Sequence, residues 1–209
     1  MKLGCILKPE TVEFHAGLAL TAQQLLPAWS RITGTPRILG HNDVLGDCVV
    51  VAAINRVQTQ LARLGSPAVI PDDLAPAIYS EVTGYMPGQP ATDQGTLPEQ
   101  LFTWWQANAI FGWKLREAIP LNPLDQAGQR NSIVTANGVM LCSALGQANL
   151  TQFAWEPCSD LIGYHATFAD GYEANYTSET SWGTERQVPQ AFFAAGKVVA
   201  AYSLDLIAA

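Results

Sequence analysis

Charge is scarce in this 209-residue chain: Asp, Glu, Lys and Arg together make up 14% of it, with 11 Lys or Arg against 18 Asp or Glu. At a formal net charge of −7 and with no cationic cluster, the sequence lacks the positive stripe that neutralising phosphates requires, so nucleic acid is not expected as a partner. Long apolar runs are missing as well. No window reaches the roughly 18 uninterrupted apolar residues of a membrane span, and the short run at the N-terminus is broken by Lys8 and Pro9 before it reaches the length of a secretory core. The expectation is a soluble protein with no membrane association and no secretion signal.

Cysteine and histidine are equally sparse. The 4 cysteines, Cys5, Cys48, Cys142 and Cys158, are widely spaced with no CxxC pair, which excludes a disulfide framework of the kind small secreted domains use. With only 3 histidines, His15, His41 and His165, no spacing typical of a zinc site occurs either. Reduced thiols, no metal and no cofactor are expected. Neither internal repeats nor low-complexity segments are present.

What is there is enough for one sizeable core: 48% of residues are hydrophobic, and residues 1–209 read as a single domain. Residues 1–40 form a lead-in segment that wraps the core, its apolar run around Leu18 to Leu26 cut off by Pro27, Gly34 and Pro36. From Gly46 to Leu64, the apolar residues Val50, Ile54, Val57, Leu61 and Leu64 recur at the three- and four-residue intervals of a helix that buries one face, and Gly65 ends it. Further helices are expected over about 72–82, with Asp72 and Asp73 as N-cap and first-turn acids, over about 96–109 and over about 124–136. Trp104 and Trp105 would point about 100° apart on such a helix, one into the core and the other toward a contact surface. Between the second and third helices, Thr83 to Gly95 reads as a loop that either borders a groove or packs Tyr85 and Met86 on the helices. After the apolar run Gly138 to Ala144 come strand-like segments at about 163–170, 174–182 and 196–204. Residues 41–136 are thus a mainly helical half and 137–209 a mainly β half, an α+β architecture with helices packed on an antiparallel sheet.

One thiol stands out by its place. Asn42-Asp43-Val44-Leu45-Gly46-Asp47-Cys48 leads straight into the first helix, so Cys48 sits where unpaired backbone N–H groups favour negative charge. At such positions a thiol pKa falls from about 8.5 into a range of about 3.5 to 7.5. A cysteine nucleophile needs a base, a group that orients the base, and donors for the oxyanion. His165, at the start of the segment Gly163 to Tyr172, is the candidate base; His41, on the loop into the helix, competes with it, and His15 among apolar residues reads as structural. Each of these residues also has a plainer reading: Cys48 as a small buried hydrophobe, His165 as a core histidine, Asp47 as a first-turn acid complementing the helix dipole, Asn42 and Asp43 as turn formers. Cys142 and Cys158 read as apolar packing.

These residues resemble the papain-like cysteine peptidase superfamily, in particular the small C39-like branch found in bacterial and phage proteins. The resemblance spans roughly residues 38 to 205. It rests on the Asn-Asp-x-x-Gly-Asp-Cys loop at Asn42 to Cys48, the loop Thr83 to Gly95, and a tryptophan-bearing helix followed by Gly112-Trp113-Lys114-Leu115. Later come the Gly-x-His-Ala strand at Gly163 to Ala166, the Gly171-Tyr172 turn, and Trp182-Gly183 before a short Phe192-Phe193 helix and a final strand. It implies a papain-like fold whose central helix begins at the nucleophile Cys48, with His165 as base, Asn42 as the oxyanion-hole amide and the Cys48 N–H as second donor. Trp182-Gly183 matches the segment that follows the orienting asparagine, and at that asparagine's position stands Thr180, followed by Ser181. A hydroxyl there accepts a bond from the ring more weakly than an amide or carboxylate. Tyr164 also departs from the glycine that commonly precedes the histidine, which puts a large ring near the cleft.

Two functions follow from the resemblance. One is a cysteine-dependent hydrolase of a peptide or other amide bond, with a peptide or protein substrate and catalysis weakened at Thr180 and Ser181. The other is a catalytically silent papain-like module, a structural or binding subunit with assembly partners or copies of itself, for example in a phage virion. The resemblance places the protein in the cytoplasm of a bacterial host or in a virion.

Overall fold

The computed structural model describes residues 1–7, 28–29 and 35–209. His15, the run Leu18 to Leu26, Pro27 and Gly34 lie outside the described residues.

The helix expected after Cys48 is α1, Cys48–Arg63. It buries more than one face: every residue from Cys48 to Thr59 is buried, including Asn55, Arg56, Gln58 and Thr59. Buried polar groups need partners, and these tie the helix down. Asn55 Oδ1 accepts the Ile38 N–H at 3.4 Å, Arg56 Nε donates to the Leu204 backbone carbonyl at 3.1 Å, and Thr59 Oγ1 donates to Asp170 Oδ2 at 3.0 Å. Leu64 is not part of the buried face; it is the C-cap residue and 58% exposed, with Gly65 at φ +74° turning the chain away.

Two shorter helices follow, α2 (Leu74–Thr83) and α3 (Pro98–Ala107). Asp73 is the N-cap residue of α2, while Asp72 serves the lead-in segment, accepting the Gly40 N–H at 3.0 Å. On α3 the Trp105 ring is buried and donates to the Trp113 carbonyl at 2.9 Å, whereas Trp104 is half-buried and donates to Glu81 at 3.2 Å. Next come β1 (Trp113–Leu121), α4 (Gln126–Thr135), β2 (Val139–Leu145), β3 (Gly163–Tyr172), β4 (Tyr176–Ser181), β5 (Thr184–Pro189), α5 (Gln190–Ala194) and β6 (Val198–Ala208).

The six strands form one antiparallel sheet in the order β1-β6-β2-β3-β4-β5. The last strand therefore inserts between β1 and β2, and β1 draws a segment of the mainly helical half into the sheet. Alternate side chains of the central strands feed two cores. Met140, Cys142, Ala166 and Phe168 pack with α1, α2 and α3; Val139, Leu141, Leu145 and Ala169 pack with Trp155, Trp182, Phe192 and Phe193. Among the described residues, no helix is long and apolar enough to cross a membrane.

Candidate active site

Cys48 opens α1 and its side chain is wholly buried. Its Sγ accepts the backbone N–H of Ala166 at 3.4 Å, so the sulfur rests on β3 at the residue that follows His165. The contact joins positions far apart in sequence through the Ala166 backbone, with no hydrogen bond from the sulfur to the His165 ring among the described residues. The nearby dipole does not win the titration: burial pushes the thiol up to about 12, against the opposing pull of the Ala166 and Gly4 backbone groups. The low thiol pKa expected from the helix N-terminus is thereby reversed, because desolvating the thiolate outweighs the partial charge of a helix end.

His165 is fully buried, and its environment comes from β4 and the turn after it. Its Nε2 is 2.9 Å from Ser181 Oγ. Trp182 stacks on the imidazole with centroids 4.2 Å apart and planes at 14°, and Trp155 meets it edge-on at 6.4 Å. The stack is set by the β4–β5 connection: Ser181 pairs with Thr184, so Trp182-Gly183 is a two-residue loop, and both residues have positive φ, +47° and +70°. That is the backbone of a tight hairpin turn matched to strand twist. Nδ1 is buried and has no hydrogen-bond partner among the described residues. Burial first, and then the positive field of Arg186, lower the His165 pKa to about 3. The ring is neutral.

Of the two hydroxyl residues considered for orienting the ring, Ser181 makes the bond. Thr180, its neighbour on β4, points to the opposite face of the strand, across from Phe168. Asn42 is buried in the turn before α1, its Oδ1 without a partner among the described residues. Asp47 is the N-cap residue and not a first-turn acid; its side chain makes no capping bond, and burial raises its pKa to about 8. His41 lies apart from this cluster, at φ +64° on the surface with Nε2 3.1 Å from Asp73. Cys158 is half-buried rather than packed away, and donates its S–H to Asn149 Oδ1 at 3.0 Å.

The loop Thr83 to Gly95 packs one of its two large side chains on the helices and leaves the other, Met86, exposed. Tyr85 packs on Tyr79 at 5.2 Å, and Asp93 accepts bonds from the Tyr79 hydroxyl at 2.6 Å and the Gly46 N–H at 3.1 Å, fixing the loop beside Cys48. No motif marks which part of the lead-in segment lies between this loop and β3. Residues Lys2 to Ile6 cross it as an extended strap. Thr96 N–H donates to the Gly4 carbonyl at 2.7 Å, Ile6 N–H to the Thr96 carbonyl at 3.0 Å, and Cys5 N–H to the Tyr164 carbonyl at 3.3 Å. Lys2 forms an ion pair with Asp93. Gly4 is required here: a β-carbon on it would fall inside the backbone of Gly46, and one on Gly95 would strike the Gly4 carbonyl. Cys48 is therefore roofed by the chain's own backbone.

No family model matches the chain, and no curated protein matches it. Solved structures do. Xylellain, a cysteine protease from Xylella fastidiosa, is similar with a TM-score of 0.72 at 11% identity, over 97% of this chain and 95% of that one. The cysteine protease and lectin-like domains of Cwp84 from Clostridium difficile give 0.69 at 11% identity, over 99% of this chain and 56% of that one. A procathepsin B from Trypanosoma congolense gives 0.69 at 8% identity, over 99% and 87%. The fold is that of the papain-like cysteine proteases, an α+β fold with the central helix starting at Cys48.

Proposed function

We propose that the protein is a cysteine-dependent hydrolase of the papain-like type, acting on a peptide or other amide bond. The observation that carries this reading is the Cys48 sulfur seated at a helix N-terminus against the residue after a buried, hydrogen-bonded and stacked histidine. With Nε2–H donated to Ser181, the lone pair of the imidazole is on Nδ1, the nitrogen with no other partner among the described residues. His165 takes the thiol proton, Cys48 attacks the carbonyl carbon, and the Asn42 amide with the Cys48 N–H holds the oxyanion. The imidazolium then protonates the leaving amine, and water, deprotonated by the same ring, hydrolyses the thioester.

The test is hydrolysis of a fluorogenic peptide mixture. Cys48→Ala and His165→Ala should each lower kcat/KM by about a thousandfold or more, with circular dichroism unchanged; undiminished turnover in Cys48→Ala overturns the reading. We place the protein in the C39-like branch on its motif order, and in a bacterial cytoplasm or a virion.

One observation favours a second reading, a silent module acting as a binding or virion subunit with partners or copies of itself: a neutral hydroxyl, Ser181, stands beside the imidazole where an amide or carboxylate would hold it more strongly. Sedimentation as a monomer with no partner in its native setting would count against that alternative.

A further inference from the structure

The strap carries a thiol that neither reading uses. Cys5 lies on it, 6% exposed, and its Sγ is 3.5 Å from the Sγ of Cys142, which is wholly buried on β2. Cys142 belongs to the rigid floor of the site: it pairs in register with Ala166, the residue whose N–H rests on the Cys48 sulfur. One thiol is thus on the roof over Cys48 and the other on the sheet beneath it, already in van der Waals contact. A disulfide needs sulfurs about 2.0 Å apart, so closing the gap requires about 1.5 Å of movement. The strap, held by three backbone bonds to Thr96 and Tyr164 and by the Lys2–Asp93 pair, can supply that movement; β2, paired along its length on both sides, cannot.

We propose that Cys5 and Cys142 form a reversible disulfide that locks the strap of residues 2–6 over Cys48, making access to the site dependent on thiol oxidation. The oxidant is a small-molecule disulfide. With the strap lifted, the Cys5 thiolate attacks one sulfur of it, forming a mixed disulfide and releasing one small thiolate. When the strap docks again, Cys142 gives up its proton and attacks the Cys5 sulfur, expelling the second small thiolate. Two protein thiols are oxidised by two electrons, and one external disulfide is reduced to two thiols. Buried against Cys142, the Cys5 thiol is held protonated, its pKa raised well above the ordinary range, so exchange begins from the lifted strap and not from the closed one. The lock rests on the reading of Cys48 as the working thiol only for its consequence; its formation and its effect on access do not.

The test uses the full chain treated with oxidised glutathione, then desalted. Non-reducing peptide mapping should recover a Cys5–Cys142 linked pair, and Cys48 should be alkylated by iodoacetamide at least tenfold more slowly than in the reduced protein, with dithiothreitol restoring the rate. In C5S, and separately in C142A, oxidation should no longer slow Cys48 labelling. A map showing Cys48 in the disulfide, slowing that persists in C5S, or a Cys5–Cys142 link that leaves Cys48 labelling unchanged would each overturn the lock. If labelling follows oxidation as expected but reduced protein cuts no peptide, the lock stands and the hydrolase reading fails.

Discussion

At the scale of single residues, the site turns on what faces His165. Ser181 fixes the ring by one neutral bond of 2.9 Å, and a neutral acceptor stabilises an imidazolium less than a carboxylate does. Ser181→Ala is expected to lower kcat about tenfold, roughly the 1.4 kcal/mol of one hydrogen bond. Ser181→Asp is expected to raise the His165 pKa, seen as an upward shift of the acidic limb of the rate–pH profile, because an adjacent carboxylate favours the protonated ring. Trp182 contributes otherwise. It holds a positive φ, unusual for a large side chain, and the ring thus placed on His165 and Trp155 is 6% exposed. Trp182→Ala should destabilise the fold by about 3 kcal/mol through the cavity it leaves, read from the urea midpoint.

The strap is the element that decides access. It is joined to the rest by backbone bonds to Thr96 and Tyr164 and by the Lys2–Asp93 pair. Its close approach to Gly46 and Gly95 works only because Gly4 and Gly95 carry no β-carbon. Gly4→Ala cannot dock without shifting, so Cys48 in that variant should react with iodoacetamide at least tenfold faster than in the reduced parent, while α1, built from local bonds and its own contacts with β3, keeps its circular dichroism signal. An unchanged labelling rate would show that the strap does not control entry. Polar side chains along α1 act in the opposite sense, binding the helix to β6 and β3 so that the floor stays fixed while the roof moves.

For the molecule as a whole, three buried titrating groups pull stability in two directions. Burial raises Asp47 and Glu179 each to about 8, so the folded state holds two protons that the unfolded chain releases near pH 4. Stability from them is present at low pH and is lost as pH rises toward 8, at about 1.4 kcal/mol per proton per pH unit. His165, lowered to about 3, works the other way: its neutral folded form favours folding above the unfolded value near 6.5, and that contribution is lost as pH falls from there toward 3. The carboxyls outnumber the imidazole, so the melting temperature should be higher near pH 5.5 than near pH 8. Glu179→Gln, which keeps an acceptor for the Thr167 hydroxyl, now bound at 2.6 Å, should flatten that decline by about one proton; an unchanged slope would mean that Glu179 is already ionised.

Local pattern in the sequence determined the elements whose signals are themselves local. The three- and four-residue spacing of Val50, Ile54, Val57 and Leu61 marks α1, alternation marks β3, and the Asn42 to Cys48 loop puts a thiol at the first residue of α1. The strand β5 escaped notice because Thr184–Pro189 is a polar edge strand, largely half-exposed, with no apolar alternation to betray it. Only tertiary structure decided three things: that β6 lies between β1 and β2, that Lys2 to Ile6 roof the thiol, and that the thiol beneath is protonated. Strand order and strap docking join residues separated by most of the chain, and the pKa of Cys48 depends on how much water the folded molecule leaves around it. Periodicity and motif spacing encode what neighbours along the backbone do; exclusion of water from a sulfur is a property of everything packed against it.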